Sequence, residues 1–182
     1  MKGALMAVLG LLVAACGPRK VAQSEWERSN ESRLSREQAE AEVVTQFPAY
    51  PRKANLLEFR VGGTGEFAFF IDKGSLGVGS DGIVRYVMVA RSSDGVDNVS
   101  YEGLRCESAE VRRYAAGQPD ATWRVSPGLW QPIARRWHLV LHREYFCPQN
   151  VALHSAAEGV RALQAGGHPF SRGFSADPNR VR

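Results

Sequence analysis

The chain has 182 residues, with 23 Lys and Arg against 19 Asp and Glu and a formal net charge of +4. The basic surplus is scattered along the chain, which excludes the clustered stripe or patch that nucleic-acid binding requires. The length suffices for one domain with a proper core.

Lys2 opens the chain with a positive charge, and Gly3 to Ala15 is uncharged and largely apolar. That run is too short for a bilayer, which takes roughly 20 apolar residues, and it fits the h-region of an export signal. It ends in Val13-Ala14-Ala15-Cys16, which resembles a bacterial lipobox. The resemblance implies that residues 1–15 are a signal peptide and that the Cys16 thiol, the one side chain nucleophilic enough at neutral pH, takes a diacylglyceryl group. Each buried methylene contributes about 0.8 kcal/mol, so two or three acyl chains would hold the protein on a membrane. Gly17, rather than an aspartate, implies the outer membrane, facing the periplasm. The expected partners are thus the membrane, through the lipid, and another envelope protein or a cell-wall glycan.

With Cys16 acylated, Cys106 and Cys147 remain as an even pair in an oxidising compartment, and a disulfide is the expectation. It closes a loop of about 40 residues, which the chain-entropy model values at roughly 4 kcal/mol. A pair of metal thiolates is the alternative and needs further ligands nearby.

Residues 16–46 read as a tether with a marginal helix. Ser35 and Gln38 fit a capping box, Arg36 and Glu40 sit at i,i+4 spacing, and the apolar stripe (Leu34, Ala41, Val44) is thin. Pro48 and Pro51 end it and open a folded domain over 47–166. From Asn55 the period becomes two: "LLEFRV" places Leu57, Phe59 and Val61 on one face. "EFAFFID" reads as a strand buried on both faces. "SLGVGSDG" alternates and closes in Asp81-Gly82, a hairpin signal. "IVRYVMVARS" and, after Ser93-Asp94-Gly95, "VDNVSYEGLRC" complete five strand-like runs without helical crossovers, which predicts an antiparallel sheet of about five strands.

Beyond Cys106 the pattern weakens. "ESAEVRRYAAG" fits a short strand or a helical turn, and "QPDATWRVSPGLWQP" reads as a loop. Trp123, Trp130 and Trp137 fall seven apart, but Pro127, Gly128 and Pro132 forbid a continuous helix there. "ARRWHLVLHREYFC" predicts a helix. So does "SAAEGVRALQAGG", with Ser155 and Glu158 as capping box, Val160 and Leu163 inward and Gly166 as its stop. Residues 167–182 read as a disordered basic tail. The fold class is α+β: one domain, with the C-terminal helices on one face of the sheet.

Chemistry is sparse. His138 and His142 would share a helix face and chelate zinc, but Leu139 stands where a zincin carries Glu, so two surface histidines around a buried Leu-Val-Leu are the plainer expectation. Arg91, Ser92, Tyr101, Glu102 and Arg105 are placed near one another by the hairpin and form a candidate polar patch, if not mere cross-strand pairing. There is no Gly-x-Ser-x-Gly elbow and no Walker or dinucleotide loop, so no catalytic residue is assigned and no cofactor is expected. The leading expectation is a non-catalytic binding or assembly module. The alternatives are a hydrolase using His138, His142 and Glu144, and a cell-wall glycan binder using Trp123 or Trp130.

"YPRKANLLEFRV", "FAFFID", "SLGVGSDG" and "DGIVRYVMVARSSDGVDNVSYEGLRCESAEVRRYAAG", followed by a Trp and "REYFCP", resemble the cryptic neisserial protein-like (CNP-like) family over residues 47–165. The resemblance implies a small proteobacterial envelope protein without assigned chemistry, and Cys106 and Cys147 match its two-cysteine pattern.

Overall fold

The structure is a computed structural model that describes residues 24–30, 33, 46–62, 66–126 and 128–171. The chain divides into two units, Met1–Ala39 and Glu40–Arg182. In the first, residues 25–30 form helix α1. Its start is a reciprocal capping box: the Glu27 amide donates to Ser24 Oγ at 3.2 Å and the Ser24 amide to the Glu27 carboxylate at 2.9 Å. The box expected at Ser35 and Gln38, the leader and Cys16 lie outside the described residues. No helix among the described residues is long and apolar enough to cross a membrane.

The second unit is built on one antiparallel sheet. Its strands are β1 (Leu56–Phe59), β2 (Phe67–Val78), β3 (Ile83–Ser92), β4 (Asp97–Arg105), β5 (Glu110–Gly117), β6 (Trp123–Val125) and β7 (Gln131–Pro132). They run in the order β1-β2-β3-β4-β5-β6, with β7 also on β5. The sheet therefore has seven strands, not about five: two of the five expected runs fuse into one, and three further strands form beyond Cys106. "EFAFFID" and "SLGVGSDG" are a single strand interrupted by a bulge, the register jumping from Asp72↔Val87 to Gly77↔Arg85. The Ser75 hydroxyl bridges that gap, accepting from the Val87 amide and donating to the Asp72 carbonyl, each at 2.8 Å. Beyond Cys106, "EVRRYAAG" is a full strand burying Tyr114 and Ala115, and the tryptophan-bearing loop contributes β6 and β7 along its outer side.

Period-two alternation sends side chains into a core on each face of the sheet. Val84, Tyr86 and Met88 of β3 point toward the helices, whereas Val87 and Val89 point to the other side. The helical layer comprises α2 (Arg136–Val140), a π-helical continuation (Leu141–Phe146) and α3 (Ala156–Ala165). The wide turn is seen in the Cys147 amide, which donates five residues back to the His142 carbonyl at 3.0 Å. Immediately after it, Cys147 is bonded to Cys106 at the end of β4, 41 positions away in sequence.

Helix α3 begins at Ser155, whose hydroxyl accepts the Glu158 amide, and stops at Gly166 in the left-handed region (φ 76°). The Glu158 carboxylate does not close the box onto Ser155. It accepts the His154 amide at 2.7 Å and faces His168 Nε2 at 2.9 Å. Of residues 167–171, placed in the tail by sequence, Gly167 and His168 are buried, the His168 amide donating to the Glu144 carbonyl while its ring meets Glu158, whereas Pro169 and Phe170 are exposed.

The opposite face is covered by the segment around Phe47 and Tyr50. Trp123 Nε1 donates to the Pro48 carbonyl at 2.9 Å, and Tyr50 OH donates to the Gln118 carbonyl at 3.1 Å. Trp130 packs beneath the Arg105 guanidinium, 4.2 Å from its ring centre. Both indoles are thus half-buried structural groups rather than an exposed glycan platform.

Candidate functional site

The sheet carries a charge in its interior. Glu102, on β4, is 1 % exposed, on the side that faces the helices. Its Oε2 lies 2.8 Å from His138 Nε2 on α2 and accepts the Tyr86 hydroxyl at 3.4 Å. Its Oε1 accepts the Ser100 hydroxyl at 2.8 Å and lies 3.8 Å from Arg113 Nε on β5. Burial is the largest single influence and pushes this carboxyl up. The hydrogen bond and charge of His138, with Ser100 and Arg113, outweigh it and hold the group below its ordinary value. Burial, with the Glu102 charge added, pushes the Tyr86 phenol well up. Among the described residues, His138 Nδ1 is buried without a hydrogen-bond partner.

Two of these groups, Ser100 and Arg113, also line an open cleft of about 750 Å³ on the same side of the sheet. One wall is aromatic: Phe69 stacks on Trp137 with ring centres 5.3 Å apart and planes 24° from parallel, and Phe67 follows at 6.3 Å. The far wall carries Arg113 and Arg124, and Asn98, Ser100 and Gln118 add polar side chains. Arg113 is 56 % exposed, and Arg124 is exposed and makes no ion pair among the described residues. Asp97, the carboxylate of the cleft, is held in a fork by Arg91 Nε and Nη2 at 2.6 and 2.9 Å, which leaves the cleft with a cationic balance. A second cleft of about 760 Å³ lies on the other side of the same aromatic wall, lined also by Arg60, Arg91 and Arg136.

The residues that the sequence grouped as a polar patch are dispersed. In the β3–β4 register Arg91 faces Asp97 near the hairpin tip, Glu102 faces Tyr86, and Arg105 faces Ile83 at the far end. Ser92 serves the turn, its hydroxyl accepting the Val96 amide at 3.1 Å. Tyr101 and Glu102, adjacent in a strand, point to opposite faces. Tyr101 packs edge-on to Phe47 and beside Tyr114, and Arg105 pairs with Glu110 at 3.0 Å. Only Glu102 enters the polar centre, and its partners there are Ser100, Tyr86, Arg113 and His138.

The two histidines are not on the surface. His138 and His142 are both buried, and Leu139 and Val140 between them are only partly so. His142 Nε2 meets the Cys106 carbonyl at 2.9 Å, so each imidazole directs Nε2 to a separate partner. No group of three metal-ligating side chains occurs among the described residues. A signal for this burial is present in the sequence: His138, Leu141, His142, Tyr145 and Phe146 follow i, i+3, i+4, i+7, i+8, the buried stripe of a helix. Reading Leu-Val-Leu as the inward group breaks that stripe.

The model of the CNP1-like family matches residues 35–164, and so reaches into the segment assigned from sequence to the tether. No curated protein and no solved structure matches the chain.

Proposed function

The chain belongs to the CNP1-like family, and from that premise and the geometry above we propose that it is a lipid-anchored bacterial envelope protein whose domain binds another envelope component. The observation that carries the binding reading is the open cleft, with its aromatic and cationic walls, beside a polar centre whose members are committed to one another. Ser100 donates to Glu102 and not to an imidazole, and His138 directs Nε2 to the same carboxylate. That arrangement fixes a charge. It does not activate a nucleophile, which needs a hydroxyl or thiol within reach of a base.

The buried Cys106–Cys147 bond supports an oxidising compartment, in agreement with the export signal and lipobox resemblance at Cys16. Gly17 after that cysteine supports the outer membrane, facing the periplasm. The hydrolase alternative asks His138 and His142 to present nitrogens to one ion, and their Nε2 atoms instead meet Glu102 and the Cys106 carbonyl.

Cell fractionation of Cys16→Ser tests the anchor. The wild-type chain is expected in the membrane pellet with acyl chains on Cys16 by mass spectrometry, and the variant in the soluble periplasmic fraction. A variant that still sediments, or mature protein retaining residues 1–15, refutes the anchor. Stoichiometric zinc in the purified protein, lost with His138→Gln, revives the hydrolase alternative.

A further inference from the structure

The cleft bounded by Phe67, Phe69 and Trp137 on one side and Arg113 and Arg124 on the other points to a ligand class, and the following rests on the binding reading above. We propose that this cleft binds an acidic oligosaccharide, with its rings against the aromatic wall and a carboxylate on Arg113. Charge complementarity supplies the first argument. Two arginines face the cleft, its carboxylate Asp97 is already held by Arg91, and Arg113 is tied only loosely to Glu102 at 3.8 Å. A guanidinium that is more than half exposed and backed by a buried carboxylate is held in place yet open to a second anion, which it can grip through two parallel N–H donors.

The second argument is shape and chemistry. The floor crosses strands β2, β3, β4 and β5, three steps of about 4.8 Å, or roughly 14 Å. That width is left unfilled by a single ring and suits a short chain of them. The two central strands of this floor, β3 and β4, are paired on both sides, so across the middle of the cleft there is no edge for the backbone pairing by which extended peptides add to sheets. Recognition is left to ring faces and to the side chains of Asn98, Ser100 and Gln118. The electron-rich faces of phenyl and indole groups attract the C–H faces of sugar rings, while hydroxyl groups meet amides and hydroxyls.

The test uses the detergent-solubilised full chain in calorimetry and Trp fluorescence, with three probes: a trisaccharide of galacturonic acid, its neutral galactose counterpart, and the acidic tripeptide Glu-Phe-Glu. The uronic trisaccharide is expected to bind and to perturb Trp fluorescence. The neutral sugar is expected to bind at least about tenfold more weakly, the scale of one charge-assisted hydrogen bond. Arg113→Gln and Arg124→Gln should each weaken the uronic sugar to a similar degree, with unchanged circular dichroism, and leave the neutral sugar alone. Equal binding of both sugars, tighter binding of the tripeptide, or no binding of any probe overturns the proposal. An acidic tripeptide bound through Arg113 would still leave a binding module, whereas a mature chain lacking the acyl anchor refutes the envelope assignment whatever the cleft takes.

Discussion

His138 Nε2 and Glu102 Oε2 lie 2.8 Å apart across the interface between helix α2 and the middle of the sheet, joining residues 36 positions apart in the chain. Both side chains are more than nine-tenths buried. A buried hydrogen-bonded contact of this kind matters chiefly when one partner is removed, because the other is then left in the interior without its bond. Glu102→Gln replaces an acceptor shared by His138, Ser100 and Tyr86 and is expected to destabilise the fold by about 1–3 kcal/mol, the scale of a buried polar group left without its partner, read from urea unfolding.

The same carboxyl sets an acid limit. Its value in the fold is held below the ordinary 4.5, first against burial and then by His138, Ser100 and Arg113. The folded state therefore binds this proton less readily than the unfolded chain does. The stabilisation is complete above about pH 4.5 and is lost as pH falls through the depressed value. Urea midpoints from pH 3 to 7 should fall in wild type below pH 4.5, and Glu102→Gln should flatten that fall. Parallel curves for the two proteins would remove Glu102 from the acid transition.

Reduction of Cys106–Cys147 releases a 41-residue loop in the unfolded chain. The chain-entropy model assigns that constraint about 4 kcal/mol, so the Cys106→Ser, Cys147→Ser double variant should lose stability on that scale. Its unfolding should be indifferent to dithiothreitol, whereas wild type should shift toward the variant when reduced.

Gly117, at the end of β5, is a point of close approach between the sheet and the N-terminal segment. A Cβ there would come within 2.7 Å of Val99 Cβ and 2.8 Å of the Tyr50 hydroxyl oxygen. Val99 Cβ is fixed to its backbone and has no rotamer by which to retreat. Gly117→Ala is expected to cost about 1–3 kcal/mol, the usual scale of overpacking, as a lowered Tm.

At the far end of the molecule, Ser155→Ala removes an N-cap and should cost about 1 kcal/mol. Glu158→Ala should cost more, since the same carboxylate serves both the His154 amide and the His168 ring. Hydrogen exchange at the His168 amide separates the two: it should accelerate in Glu158→Ala and stay near wild type in Ser155→Ala.

The hairpins were legible because their signals are local. Asp81-Gly82 sits where a turn needs positive φ at the second residue, and Gly82 has φ 72°; "IVRYVMVARS" alternates cleanly. The continuity of β2 was not legible, since "KGS" carries turn residues, yet the chain runs on through a bulge there, with the Ser75 hydroxyl bonded to β3. Strand β5 hid because Arg112 and Arg113 interrupt its apolar pattern. The polar centre was half legible. Glu102 stood out as a charge in a strand, but its partner depends on which face of a distant helix lies against the sheet. The five residues grouped as a polar patch disperse for a simpler reason: the tight turn at Gly95 sets the β3–β4 register, with Arg91 opposite Asp97 and Glu102 opposite Tyr86.

Arg113, Arg124 and Trp137 all fall between Cys106 and Cys147. The exposed turn at residues 119–122 is in the same interval. A protease that nicks this turn leaves two fragments still fastened by sulfur, so cleavage is silent on a non-reducing gel and the severed walls stay on one scaffold. The cationic and aromatic sides of the groove are in effect mounted on a covalent ring, and a single backbone cut opens that ring without letting either side leave.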